Sequence, residues 1–153
     1  MNILIIEDNE PEQFILKEAF KEAAVRAEIF LVKDGVEALE FLNRQGRFEA
    51  APTPNLIILD LNLPRKNGRE FLYEAKNNPV MQHIPILVLS NSESPRDVCQ
   101  CYALNANAYI NKPSDFNKLR NLDSASCARV HAALKSSIAT FKGGMSSPMG
   151  GST

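Results

Sequence analysis

The chain reads as an α/β protein built on a doubly wound parallel sheet. Two observations carry that reading. Five short apolar runs alternate with segments of helical period, the pattern of successive βαβ units. Two of those runs, Ile3-Leu4-Ile5-Ile6 and Leu56-Ile57-Ile58-Leu59, end directly in acids, Glu7-Asp8 and Asp60. A continuous apolar run of four is a strand buried on both faces, as in a parallel sheet. Ligand sites of open α/β sheets lie at the carboxyl ends of such strands. The three carboxylates therefore belong in one crevice, where they repel one another unless a cation sits among them. Oxygen-only ligands of this kind suit Mg²⁺, which also accepts a phosphate oxygen. The chemistry expected is phosphoryl transfer.

Taken in order, the strand runs are Ile3–Ile6, Ile29–Val32, Leu56–Leu59, Ile86–Leu89 and Ala108–Ile110. The first helix is expected over Glu12–Ala24, with Ile15, Ala19, Phe20 and Ala23 on one face. Gly35–Gln45 carries Ala38, Leu39, Phe41 and Leu42 and ends near Gly46. Arg47–Asn55, with Pro52 and Pro54, reads as a loop and not an element. Arg69–Asn77 carries Phe71, Leu72 and Ala75, and Pro79 stops it. Ser94 is placed to cap the fourth helix and Pro95 suits its first position, with Val98, Cys101 and Tyr102 as its apolar face. Right-handed crossovers between the strands give the doubly wound fold.

The last part of the chain differs. Ser114 is placed to cap a helix from Asp115, with Phe116, Leu119 and Leu122 toward the sheet. Apolar positions continue at Val130, Leu134, Ile138 and Phe141. One helix from Asp115 to Lys142 would be about 42 Å long at ~1.5 Å per residue, more than a small domain covers. A break near Asp123-Ser124 or a protruding helix is expected. The boundaries expected are a domain over 1–122, a helical extension over 123–142 and a disordered Gly/Ser/Pro/Met-rich tail over 143–153. An unburied apolar stripe marks a partner or dimer contact, here on the side of the fourth helix, fifth strand and last helix, unless it folds back on the domain.

Composition narrows the class. The 153 residues suffice for one domain with a real core. Apolar residues at 44% and charged residues at 23% are ordinary globular values. A net charge of -1 gives no electrostatic pull toward nucleic acid or an anionic membrane, and neither is expected as a partner. No apolar run approaches the roughly 20 residues of a membrane helix. The chain opens on a strand-like run, so no signal peptide is expected. Cys99, Cys101 and Cys127 form an odd, sparse set, which argues for reduced thiols and a cytoplasmic protein. A metal on Cys99-x-Cys101 would need His83 or His131, neither near in sequence, so packing on the helix is the expected role.

Glu7-Asp8, Asp60, Ser90 and Lys112-Pro113 each follow a strand, in one order and spacing. In this the chain resembles the receiver domains of bacterial two-component response regulators, over about residues 1–122. The resemblance implies a flavodoxin-like five-stranded parallel sheet in the order 2-1-3-4-5, with helices on both faces. It implies that Asp60 accepts a phosphoryl group from the phosphohistidine of a sensor histidine kinase. Asp8, Asp60 and the main-chain carbonyl of Asn62 bind Mg²⁺ and Glu7 binds it through water. Ser90 and Lys112 contact the phosphoryl oxygens, and Tyr109 is the aromatic switch residue. Physical chemistry agrees with each role: a carboxylate nucleophile, a metal that neutralises the incoming charge, an ammonium on the opposite wall, and a Pro113 cis peptide that aims it inward. A Ser90 hydroxyl that moves toward the phosphoryl group vacates space into which Tyr109 turns, a two-state element biased by local charge.

The Arg47–Asn55 loop, Leu61-Asn62-Leu63-Pro64 and Gly68-Arg69-Glu70 are similar to the single-domain regulators paired with cyanobacterial phytochromes and other bacteriophytochrome kinases. The chain departs from that subfamily's aromatic-rich last helix after Leu122. Asn91 follows Ser90 where many members carry a smaller residue, which narrows access to Asp60. Asn62 and Ser92 occupy positions that tune dephosphorylation in the family. The reading is a phosphorylation-switched module that docks a partner, or a phosphorelay intermediate; the only catalysis expected is of its own phosphorylation and dephosphorylation. A haloacid-dehalogenase-type phosphatase would need an acid where Asn62 stands. A flavin carrier would need a hydroxyl- and Gly-rich phosphate loop after the first strand. Taken singly, each motif also has a plainer reading as a cap, a turn or a half-buried strand residue; their agreement at successive strand ends outweighs it.

Overall fold

The computed structural model describes residues 1–22, 26–61, 63, 67–92 and 94–112. The five apolar runs form β1 (Asn2–Ile6), β2 (Glu28–Val32), β3 (Leu56–Asp60), β4 (Ile86–Ser90) and β5 (Ala108–Asn111). All pair in parallel, in the order β2-β1-β3-β4-β5. Four helices connect them: α1 (Glu10–Glu22), α2 (Gly35–Leu42), α3 (Gly68–Lys76) and α4 (Pro95–Ala103). This is the flavodoxin-like fold expected from the sequence.

The central strands are buried on both faces, and alternate residues serve different cores. Leu4, Ile6, Ile57, Leu59, Ile86 and Val88 pack with Phe41, Phe71, Leu72, Ala75 and Cys101, from α2, α3 and α4. Ile3, Ile5, Leu56, Ile58, Leu87 and Leu89 pack with Ile15, Leu16 and Phe20 of α1. Burial of each such side chain contributes about 2 kcal/mol before ordering entropy is counted. The period of two in the strands and the runs of helical spacing between them thus meet in two layers flanking one sheet.

The helix ends show local chemistry at work. Asp34 accepts from Glu37 N–H at 2.9 Å, while Glu37 Oε1 accepts from Lys33 N–H at 3.1 Å. Asn67 Oδ1 caps α3 by accepting from Glu70 N–H at 2.9 Å, and its amide NH₂ donates to Glu70 Oε1 at 2.7 Å. Helix α4 closes in a Schellman arrangement around Asn105, whose φ is +70°.

Several details differ from the sequence reading. Helix α1 starts at Glu10, earlier than expected, because Asn9 Oδ1 caps it by accepting from Glu12 N–H at 3.0 Å. Helix α2 stops at Leu42, short of Gln45, and the chain turns through left-handed Arg44 and Gly46. The segment read as pure loop opens with a 3₁₀ turn, Gly46–Phe48; Phe48 sits 5.3 Å from the Phe41 ring, with the Arg47 guanidinium 4.5 Å from its own ring centre. Ser94 precedes α4, but its side chain makes no capping hydrogen bond; Pro95 brings no N–H, and the first turn closes on the Ser94 carbonyl. On α4 only Cys101 is fully buried, while Cys99 and Tyr102 are exposed, so helix packing accounts for Cys101 alone. The Asn62 carbonyl, the Pro113 cis peptide, the helix from Asp115, its break, the apolar stripe beyond it, Cys127 and the tail lie outside the described residues.

Candidate functional site

The register of the sheet builds the site. Ile6 pairs with Leu59, so the next residues along β1 and β3, Glu7 and Asp60, come side by side. Asp60 pairs with Leu89 on β4, and Ser90 with Asn111 on β5. Lys112 N–H then donates to the Ser90 carbonyl at 2.7 Å. Residues from four strands thereby converge at the carboxyl edge of the sheet.

Gly68 lets the loop after Asp60 close. A Cβ there would stand 2.5 Å from Leu61 Cα and 2.6 Å from the Asp60 carbonyl oxygen. Its N–H donates to the Leu61 carbonyl at 2.9 Å. The need is for close backbone approach, since Gly68 is not in the left-handed region.

Glu7, Asp8 and Asp60 each bring a carboxylate oxygen within 4.8 Å of the others. Glu7 and Asp60 are buried and Asp8 is exposed. Lys112, also buried, sets its Nζ 3.0 Å from Asp60 Oδ2, 3.0 Å from Glu12 Oε2 and 3.8 Å from Glu7 Oε2. Burial would lower the Lys112 pKa, but the charges of Asp60, Glu7 and Glu12 outweigh it and hold the ammonium above its usual value. Burial, then hydrogen bonds to Asp60 and Glu12, push the Glu7 carboxyl up to about 11. Glu7 therefore holds a proton that one cation among the acids would displace. Three oxygen donors with no nitrogen or sulfur among them fit a hard divalent ion.

On the other side, Ser90 is buried and its Oγ accepts from Ser92 N–H at 3.0 Å. Tyr109 packs half-buried against the α2–α4 core, and its hydroxyl donates to the Ser92 carbonyl at 2.8 Å. Of the residues singled out from sequence, Glu7, Asp8, Asp60, Ser90 and Lys112 stand around the crevice, and Tyr109 is tied to Ser90 through Ser92. Two partners were missed. Glu12 shares Lys112, and Gln13 Nε2 donates to the Glu7 carbonyl at 2.5 Å. The available signal was an acid one helical turn after the Glu7-Asp8 pair, which capping at Asn9 brings back over the site.

The chain is similar to known proteins. The family profile of the response regulator receiver domain matches residues 3–122. The chain is 41% identical over 117 residues to the response regulator Rcp1 of Synechocystis, covering 76% of this chain and 80% of that one. A crystal structure of the Mn²⁺-bound form of Rcp1 superposes with a TM-score of 0.71 at 38% identity, over 80% of this chain and 91% of that one. The phosphorylated cyanobacterial phytochrome response regulator RcpA superposes with a TM-score of 0.71 at 39% identity, over 79% and 86%. These matches favour neither the phosphatase nor the flavin-carrier alternative. The chain belongs to the response regulator receiver domain family, and is a phosphorylation-switched signalling protein of the two-component type.

Proposed function

We propose that Asp60 is the phosphoacceptor, with Mg²⁺ held by Glu7, Asp8, Asp60 and the Asn62 carbonyl. The observation that carries this is the meeting of Asp60 with a buried Lys112 at 3.0 Å beside two further carboxylates. An Asp60 carboxylate oxygen attacks phosphorus, the bond to the donor histidine nitrogen breaks, and the leaving nitrogen keeps the electron pair. Mg²⁺ held by these residues would supply positive charge against that of the transferring group. Lys112 pairs with a phosphoryl oxygen, and Ser90 donates its hydroxyl proton to another. Tyr109 follows Ser90 through Ser92 and alters the α4–β5 surface.

The donor is a sensor histidine kinase, and the likeness to Rcp1 and RcpA supports one of the phytochrome type. The chain then acts by docking, as a cytoplasmic single-domain regulator with its receiver over 1–122, and catalyses nothing beyond its own phosphorylation and dephosphorylation. Among the described residues no helix is long and apolar enough to cross a membrane. The exposed Tyr102 on α4 supports this face as a homodimer contact. Sedimentation of the full chain and of one ending at Leu122 tests that, and equal monomeric behaviour with and without phosphate removes it.

Acetyl phosphate with Mg²⁺, followed by mass measurement, tests the central assignment. One phosphoryl adduct is expected on the parent and none on Asp60→Asn. Persistent labelling of that variant would overturn the role of Asp60.

A further inference from the structure

Ser92 is a node whose polar groups are all engaged. Its N–H goes to Ser90 Oγ and its carbonyl to the Tyr109 hydroxyl. Its own hydroxyl donates to Asp97 Oδ2 and accepts from Ser94 N–H at 3.2 Å. Asp97, in the first turn of α4, accepts on Oδ1 from Arg69 Nη2 at 2.7 Å, and Arg69 Nε donates to Gln100 at 3.1 Å. Arg69 follows Gly68, the residue packed on the Asp60–Leu61 backbone. One continuous chain of contacts thus runs from the phosphoacceptor loop across α3 and α4 to both switch residues.

We propose that Arg69 and Asp97 form a clasp that positions Ser90 and Tyr109 for the phosphoryl group, and so are positioning residues for phosphotransfer. This rests on the function proposed above. A hydroxyl has one proton and two acceptor lone pairs. With Ser92 N–H on its oxygen, Ser90 keeps its proton for an oxygen on Asp60. That holds only while the Ser92 backbone stays in place. Among the described residues the adjoining Asn91 is exposed, so hydrogen bonds carry much of the hold on Ser92. Asp97 supplies the charged part of that hold through the Ser92 hydroxyl, and Arg69 bonds both Asp97 and Gln100. The Ser92 hydroxyl, and then Arg69, keep the Asp97 carboxyl below the usual carboxylate range, in keeping with an ionised acceptor. The Arg69 and Asp97 side chains are 35% and 26% exposed, and exposed ion pairs contribute little to stability. The clasp therefore acts on geometry at the site more than on the fold.

The full chain is phosphorylated with acetyl phosphate and Mg²⁺ as parent, Asp97→Ala, Arg69→Gln, Ser90→Ala and the Ser90→Ala/Asp97→Ala double variant. Rates are read by mass, unfolding midpoints by circular dichroism, and the Tyr109 ring by NMR. Asp97→Ala and Arg69→Gln are each expected to slow phosphorylation about threefold to tenfold and to shift the Tyr109 ring signal, with little change in midpoint. In the Ser90→Ala background, Asp97→Ala is expected to slow it no further. Equal slowing in both backgrounds, or none in the parent, overturns the clasp. If the parent takes no phosphate at Asp60, the function proposed above fails and the clasp with it. A normally phosphorylated parent with unaffected variants removes the clasp alone. Should Asp97→Ala not fold, Ser92→Ala keeps the N–H to Ser90 and removes the hydroxyl link, with the same outcomes expected.

Discussion

Lys112 Nζ and Asp60 Oδ2 form a buried contact of 3.0 Å across 52 positions of sequence. The pairing of β5 with β4 and of β4 with β3 makes it, since Lys112 follows the strand residue opposite Ser90. The ammonium lies within 4 Å of three acids, Glu7, Glu12 and Asp60, and offsets their mutual repulsion. Lys112→Met leaves them without it. The metal-free variant is expected to lose about 3 kcal/mol of stability in urea unfolding, since breaking a buried pair strands a charge. An unchanged midpoint would mean that the acids neutralise one another through shared protons.

Glu12 competes for the same ammonium at 3.0 Å. Glu12→Gln removes one negative charge near the incoming phosphoryl group and leaves Lys112 freer to turn to it. Acetyl phosphate should modify this variant about twofold to fivefold faster than the parent, by the removal of like-charge repulsion. A slower rate would show that Glu12 is needed to orient Lys112.

The Glu7 carboxyl gives the metal-free protein a pH dependence. Its value lies at about 11 in the fold against 4.5 ordinarily, so between these the folded chain holds a proton that the unfolded chain has released. The stability contributed is complete below the lower value and is lost as pH rises through the window. A Mg²⁺ ion bound among these acids, as proposed, would displace that proton. Calorimetry at pH 7.5 in two buffers of different ionisation heat should show release of about one proton per ion. Identical apparent enthalpies in the two buffers would contradict a protonated Glu7.

Asp8 is the exposed member of the triad. Asp8→Asn is expected to weaken Mg²⁺ binding yet to raise the metal-free melting temperature, because one repelling charge is gone. A lower metal-free melting temperature than that of the parent defeats the repulsion argument.

Two glycines should behave differently. Gly68→Ala forces a methyl against backbone atoms at 2.5 and 2.6 Å, which cannot turn aside as a side chain would. About 2–3 kcal/mol of destabilisation is expected, with slowed phosphorylation as the Asp60 loop shifts. Gly46 has open space but a φ of +56°, so Gly46→Ala should cost only about 1 kcal/mol and leave phosphorylation unchanged. Chemical unfolding of both, with phosphorylation rates alongside, checks the contrast.

Much of this was decided locally, and the sequence by itself determined it. Continuous apolar runs of four such as Ile3–Ile6 and Leu56–Leu59, rich in Ile and alternating with helical periods, point to strands covered on both faces and so to a parallel sheet with helices between. An acid placed directly after such a run must stand at the carboxyl edge, so Glu7, Asp8 and Asp60 were legible as a set. What only the tertiary structure decided depends on which chain segments become neighbours. Glu12 reads as an ordinary surface acid until Asn9 caps α1 and turns that residue back onto Lys112. Ser92 and Arg69 stand out in sequence only as positions of a family pattern and Asp97 not at all, and only the packing of α3 beside α4 joins the three to Ser90 and Tyr109. Gly68 reads as a loop glycine until α3 presses on Leu61. Strand and helix periods are properties of neighbours along the chain; the sharing of one ammonium, or the absence of room for one methyl, belongs to the distances that folding sets.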